Sequence, residues 1–343
     1  MKKLIVLFLL FFLLIFMIPR KEKSPNIFLI TLDGVRWQEV FYGIDMDLIE
    51  KTNYVEDKAL LINKYYSSEL IERRKKLMPF SWNYIYENGK LFGDSLKNSN
   101  FSLTNNKIFS YPGYNEILTG EADSTINSNA KIYNKNVTVL EKLNQTNNYK
   151  NKIAAFASWD VFPYIINDKR SGIPVNAGYM EELNIKTPIV EYINKNQKRT
   201  PVIWENVRLD VYTHNLALEY IKKKTPKLVY IAYGETDDFA HKGDYDSYIN
   251  SLNYTDNMIA ELWSYVQSNK FYKDNTYFII TTDHGRGLIE DWSGHGTSKA
   301  SWLAILGPNI EKTGLVEGKF YTNQIAETII QISKKSETKI PTD

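Results

Sequence analysis

Five short apolar runs, at residues 26–32, 152–158, 228–234, 276–282 and 302–307, are spread along the chain with amphipathic stretches between them. Each has the length of a strand buried on both faces and is bounded by polar residues or glycine. The stretches at 137–143, 245–268 and 323–333 read as helices. Strands that alternate with helices predict an α/β fold, with a mostly parallel central sheet flanked by helices on both faces. At 343 residues the chain has room for one large domain or two smaller ones. Segments 41–92 and 161–209, rich in Tyr, Asn, Lys and Glu, show no clear period. They are expected to cap the sheet and shape a pocket within one domain over residues 24–335, and residues 336–343 are expected to fray.

The N-terminus carries a different signal. Lys2 and Lys3 precede an unbroken apolar run over residues 4–18, which Pro19, Arg20 and Lys21 close. A charged start followed by such a run reads as an export signal. It is slightly short of the roughly 17–25 residues of a full span, and no small-residue cleavage site follows it. Residues 1–23 are therefore expected to be a signal peptide or an N-terminal membrane anchor. The rest of the chain would then lie outside the cytoplasm, on the periplasmic or extracellular side. A core helix is a poor alternative, because this run is apolar on every face. The formal charge of +2 gives no electrostatic case for binding nucleic acid. The absence of cysteine excludes disulfides, thiolate metal sites and a cysteine nucleophile.

Placed on this map, the polar motifs gather. Asp33 directly follows the run at 26–32. Asp237, with His241 four residues on, follows the run at 228–234, and Asp283 with His284 follows the run at 276–282. His295 stands between Gly294 and Gly296. In open α/β sheets, sites form in the crevice at the carboxyl ends of strands, where these acidic motifs would converge. Imidazole with carboxylate is the donor set that zinc and similar divalent ions prefer. Asp238 adjoins Asp237 and has the same chemistry. His214, outside any motif, reads as a surface or satisfied core histidine.

Ser110 precedes a turn at Pro112 and Gly113 and a short helix. On local sequence alone the commoner reading is a turn serine or a helix cap. Beside a divalent ion, however, a serine at a helix N-terminus can ionise and attack phosphorus. Arg36 can reach a phosphate or form a salt bridge. Trp159 and Asp160 follow a strand end, where they can line a pocket or simply pack and cap.

With these residues in place, the chain resembles the alkaline phosphatase superfamily. It is most similar to the type I phosphodiesterase and nucleotide pyrophosphatase branch and to bacterial alkaline phosphatase family proteins. The resemblance runs from about residue 26 to about residue 330. Its motifs are Asp33 before Gly34, Ser110 before an aromatic and a proline, Asp237 with His241, Asp283 with His284, and His295 in its glycine setting. It implies an alkaline phosphatase-like fold and two divalent ions. Zinc is the expected metal, although iron or manganese suits some of the same ligands. Asp237, His241 and His295 would hold one ion. Asp33, Asp283, His284 and the Ser110 oxygen would hold the other. Asn129 falls where the diesterase branch places a phosphate-binding asparagine, with Asn127, Asn134 and Asn136 close by.

The implied activity is hydrolysis of a small-molecule phosphate ester through a phosphoseryl intermediate on Ser110. Asn129 favours a diesterase or pyrophosphatase, while Arg36, Lys131 and Arg170 keep a phosphomonoesterase open. A sulfatase is disfavoured, because Tyr114 stands where an arginine would be required. A cofactor-independent phosphoglycerate mutase is disfavoured too, because it carries a large inserted domain and works in the cytoplasm. A reading from another class is a membrane-anchored binding protein without turnover, against which the complete ligand set argues.

Overall fold

The structure, a computed structural model, describes residues 24–51 and 53–335. The expected export signal or anchor, including the apolar run at 4–18, and the expected frayed tail lie outside the described residues. Among the described residues, no helix is long and apolar enough to cross a membrane.

The strands are β1 (Asn26–Leu32), β2 (Gly89–Phe92), β3 (Ser99–Ser102), β4 (Ile153–Ala157), β5 (Val175–Ala177), β6 (Leu228–Tyr233), β7 (Thr276–Thr281), β8 (Leu303–Leu306), β9 (Gly314–Leu315) and β10 (Gly318–Tyr321). Eight of them form one sheet in the order β5-β4-β6-β1-β7-β8-β2-β9, and β10 pairs with β3 in a separate ladder. From β5 to β7 every pairing is parallel. β8 runs antiparallel to both β7 and β2, and β9 is parallel to β2. The mostly parallel sheet expected from the sequence is the one observed.

The strands read as continuous apolar runs because both faces of the sheet are covered. On β1, Phe28, Ile30 and Leu32 enter one core, while Ile27 and Leu29 enter the other. β6 divides in the same way, with Val229, Ile231 and Tyr233 against Leu228, Tyr230 and Ala232. Four helices cover the sheet near the polar motifs or carry them: α1 (Ser110–Thr119), α2 (Glu235–His241), α3 (Tyr245–Ser268) and α4 (Gln324–Lys334). α3 lays Tyr248, Leu252, Ile259, Leu262 and Val266 on the first core. α1 supplies Tyr114, Ile117 and Leu118 to the second, and α4 adds Ile325, Ile329 and Ile332. Each such fully buried aliphatic side chain contributes about 1.5–3 kcal/mol.

Because β8 returns antiparallel to β7, the connection at 282–302 stays at the carboxyl end of β7 instead of crossing the sheet. Within the segments expected to cap the sheet, residues 89–92 form β2 of the central sheet and residues 175–177 form its edge strand β5. α1 crosses close over the end of β7. A Cβ added at Gly113 would collide with the carbonyl oxygen of Asp283 and lie 3.0 Å from its carbon. Gly113→Ala is therefore expected to destabilise the fold by about 1–3 kcal/mol through overpacking, against a helix-propensity gain of about 1 kcal/mol. A fall in the urea midpoint measures it.

Candidate metal centre

β6, β1 and β7 are neighbours and run parallel, so their carboxyl ends lie side by side. Asp33 follows β1, Asp283 and His284 follow β7, and α2 opens just after β6. Asp237 and His241 are four apart on α2 and so share one face of it. His295 arrives on the connection between β7 and β8. The result is two groups, Asp33, Asp283 and His284, all buried, and Asp237, His241 and His295, more open. Within each group the donor atoms lie within 4.8 Å of one another.

In the buried group, His284 donates from Nδ1 to the Gly285 carbonyl at 2.8 Å, which leaves Nε2 free to meet a cation. Nε2 lies 3.3 Å from Asp33 Oδ1, 3.4 Å from Asp283 Oδ2 and 3.4 Å from the Ser110 hydroxyl. The other carboxylate oxygens are held: Asp33 Oδ2 accepts from the Tyr114 hydroxyl at 2.8 Å, and Asp283 Oδ1 from the Gly34 N–H at 3.1 Å. Among the described residues, Asp33 Oδ1 and Asp283 Oδ2 are buried without a hydrogen-bond partner. Unpaired buried carboxylate oxygens are costly unless a cation meets them. Two such oxygens facing one imidazole nitrogen fit a divalent ion.

The electrostatics agree. Burial, reinforced by Asp237, raises Asp33 above the usual carboxylate range, and burial with Asp33 raises Asp283 well above it. Burial opposes charge on His284, but Asp283, Asp33 and Asp237 outweigh it and push that imidazole up to about 10. The proton on His284 thus takes the place of a cation among three acids.

In the open group, His241 Nε2 lies 3.1 Å from Asp237 Oδ2 and 3.0 Å from His295 Nε2. Two ring nitrogens this close repel unless they share a proton or an ion. Burial and the neighbouring His284 push His295 down to about 3, so it stands neutral, as a ligand must. Burial also works against the Asp237 carboxylate, yet Arg286, His241 and His284 hold it below the usual range. The groups adjoin: His284 Nε2 is 3.8 Å from Asp237 Oδ1, and the His284 and His295 rings are 4.4 Å apart.

Ser110 is the first residue of α1, and the extended Phe109 before it is the cap position, with no side-chain cap bond. The Ser110 hydroxyl is therefore turned to His284 rather than used as a cap. Asn129 accepts the Tyr111 N–H at 3.0 Å, which fixes it beside Ser110 with its NH2 group left as donor. Asn134 and Asn136 both bond Asn115 instead.

Asp238 belongs to neither ligand group, and burial with Asp237 pushes it up to about 8. His214 is a satisfied core histidine between the Tyr233 hydroxyl at 2.9 Å and Glu261 at 3.2 Å. Arg36 is buried against Glu39 and Asp45, and Arg170 clamps Glu141 and the carbonyls of Asn134, Lys135 and Asn136. Neither is available to a phosphate, and Lys131 pairs with Asp160 at 2.6 Å. Trp159 packs on Phe162.

The sequence reading does not assign two partners of the site, Tyr114, which holds Asp33, and Arg286, which donates to Asp237 Oδ1. Their signals were positional: Tyr114 is one helical turn after Ser110, and Arg286 is two residues past His284.

A family model described as the metalloenzyme superfamily matches residues 110–330, a span that opens on Ser110 and includes Asp237, His241, Asp283, His284 and His295. A search of curated proteins found no match. Among solved structures, the chain is similar to the lipoteichoic acid synthase LtaP from Listeria monocytogenes, at 12% identity and a TM-score of 0.60, over 92% of this chain and 74% of that one. It is similar to the phosphonate monoester hydrolase SpPMH from Silicibacter pomeroyi, at 12% identity and a TM-score of 0.54, over 90% and 73% of the two chains. A protein in the alkaline phosphatase superfamily from Vibrio parahaemolyticus matches at 11% identity and a TM-score of 0.54, over 91% and 66%. At these identities the likeness is one of fold, and it is the alkaline phosphatase-like fold expected from the motifs.

Proposed function

Because the chain belongs to the metalloenzyme superfamily and has an alkaline phosphatase-like fold, we propose that it is an exported two-metal hydrolase of phosphoric esters. Ser110 is the nucleophile and the preferred substrate is a diester or pyrophosphate, as in a phosphodiesterase or nucleotide pyrophosphatase. The observation that carries this reading is the Ser110 hydroxyl, 3.4 Å from His284 Nε2 at the edge of two adjoining ligand groups. Asp33, Asp283, His284 and the Ser110 oxygen would hold one ion, and Asp237, His241 and His295 the other. The nitrogen-rich second group suits zinc. Two such ions would supply Lewis-acid stabilisation of charge that develops in the displacement at phosphorus.

The chain's own residues do the rest. Ser110 Oγ gives up its proton to solvent and bonds to phosphorus as one ester P–O bond breaks, and the leaving alcohol takes a proton from solvent. The phosphoryl group, still carrying its second ester, is left on Ser110. Water then attacks its phosphorus, the Ser110 O–P bond breaks, and a proton of that water restores the Ser110 hydroxyl. The Asn129 NH2 donates to a non-bridging oxygen throughout.

The diester preference is supported by the commitment of Arg36 and Arg170 to internal ion pairs. That leaves a neutral donor, Asn129, and one cation already paired, Lys131, to face the phosphoryl group. A diester carries one negative charge where a monoester carries two, and so needs less positive charge. Export rests on the apolar run at 4–18, which would also anchor the enzyme if uncleaved.

Turnover of bis-p-nitrophenyl phosphate and p-nitrophenyl phosphate tests the reading. The diester is expected to show the higher kcat/KM by at least about tenfold, the equivalent of 1.4 kcal/mol. The reverse ratio would make the protein a phosphomonoesterase. No turnover of either by protein with its ions bound would make it a binding protein.

A further inference from the structure

Arg286 is almost wholly buried, at 1% exposure, and makes every contact to the open ligand group or to the loop that completes it. Its Nη1 donates to Asp237 Oδ1, and its Nη2 lies 3.5 Å from His241 Nδ1. On the other side, Nε donates to the Trp292 carbonyl at 3.0 Å and Nη2 to the Ser293 carbonyl at 2.8 Å. Those carbonyls come two and three residues before His295.

The loop itself is pinned by Trp292, fully buried against the rings of Tyr54, Tyr245 and Tyr248 at 5.3, 5.1 and 5.2 Å. One guanidinium therefore ties an anchored loop to the helix that carries Asp237 and His241. The fit is tight from the β1 side as well. A Cβ at Gly34, where φ is +62°, would collide with Asp237 Oδ1 and lie 2.7 Å from Arg286 Nη1. The buried group is held by different partners, namely Tyr114, the Gly34 N–H and the Gly285 carbonyl.

We infer that Arg286 is the positioning residue of the Asp237, His241 and His295 group, locking the His295 loop onto α2 so that all three donors meet one ion. This rests on the two-ion reading. Without Arg286 the open group holds its ion weakly, while the Asp33, Asp283 and His284 group keeps its own. Only a planar fork can bridge two loop carbonyls and a carboxylate together, so lysine is a partial substitute.

The test uses the full chain, stripped with a chelator, titrated with Zn2+ in a calorimeter and counted by elemental analysis after desalting, with thermal melts to follow folding. The wild type is expected to retain two ions. Arg286→Gln is expected to retain one, the lost step weakening about 10–100-fold, as when a partner of a metal ligand is removed. Arg286→Lys should fall between. Adding His295→Ala to Arg286→Gln should remove no further ion, because both act on one group, whereas adding Asp283→Asn should leave none.

The inference is overturned if Arg286→Gln binds both ions with wild-type affinity, or if its combination with His295→Ala binds none. If Arg286→Gln does not fold, Arg286→Lys decides, and wild-type affinity at both steps overturns the inference. A wild type that binds fewer than two ions counts against the two-ion reading instead.

Discussion

Replacing Ser110 with alanine is expected to lower kcat on bis-p-nitrophenyl phosphate by a factor on the order of 10³–10⁶, the range seen when a catalytic nucleophile is removed from a preorganised site. The reason is geometric. Ser110 is buried at the first position of α1, the cap position belongs to Phe109, and among the described residues the Ser110 hydroxyl meets only His284. It has no structural bond whose loss would explain such an effect, so the variant should fold and melt like the wild type. It should also keep both ions, since Asp33, Asp283 and His284 remain. Rapid-quench trapping with labelled bis-p-nitrophenyl phosphate should detect a p-nitrophenyl phosphoryl group on Ser110 in the wild type and none in the variant. Full activity in Ser110→Ala would remove this residue from the chemistry.

Removal of the ions is expected to have the second-largest effect, abolishing activity and loosening the fold together. Asp33, Asp237 and Asp283 are all buried within one crevice, and among the described residues two of their oxygens have no hydrogen-bond partner. In the stripped protein the proton on His284 and the Arg286 guanidinium balance part of that charge. An ion present at a thousand times its Kd stabilises the folded chain by about 4 kcal/mol. Chelation should therefore lower the thermal midpoint by several degrees, and zinc should restore both the midpoint and turnover. Loss of activity with an unmoved midpoint would place the ions outside the fold's energetics.

The framework of the fold was open to reading because a parallel strand covered on both faces must be apolar throughout. β1, β4, β6, β7 and β8 each sit inside one of the five runs. The strands β2, β5 and β9 were not readable, at two to four residues each. A stretch that short shows no period, and its pairing is decided by neighbours far away in sequence. The helix Leu70–Leu77 carries Glu72, Arg73, Arg74, Lys75 and Lys76. It buries only Leu77 and leaves Ile71 exposed among its charged residues, so its apolar periodicity is weak.

The candidate ligands were legible for a related reason. Strand ends place Asp33, Asp237, Asp283 and His284 next to recognisable runs, and adjacency in sequence became adjacency in space. Tyr114 and Arg286 act on those ligands across 81 and 49 positions of sequence. Beyond their places near Ser110 and His284, nothing local distinguishes them from an ordinary core tyrosine and a surface arginine. Arg36 and Arg170 illustrate the converse, since cations near the motifs turned out to serve internal acids.

The most direct test of the two-ion centre is the number of ions the protein holds. Full-length protein, stripped with a chelator, reloaded with Zn2+ and desalted, is counted by elemental analysis against its protein concentration. The proposed centre predicts two zinc ions per chain, falling to one when either His295 or Asp283 is replaced. One ion or none in the folded wild type would contradict it.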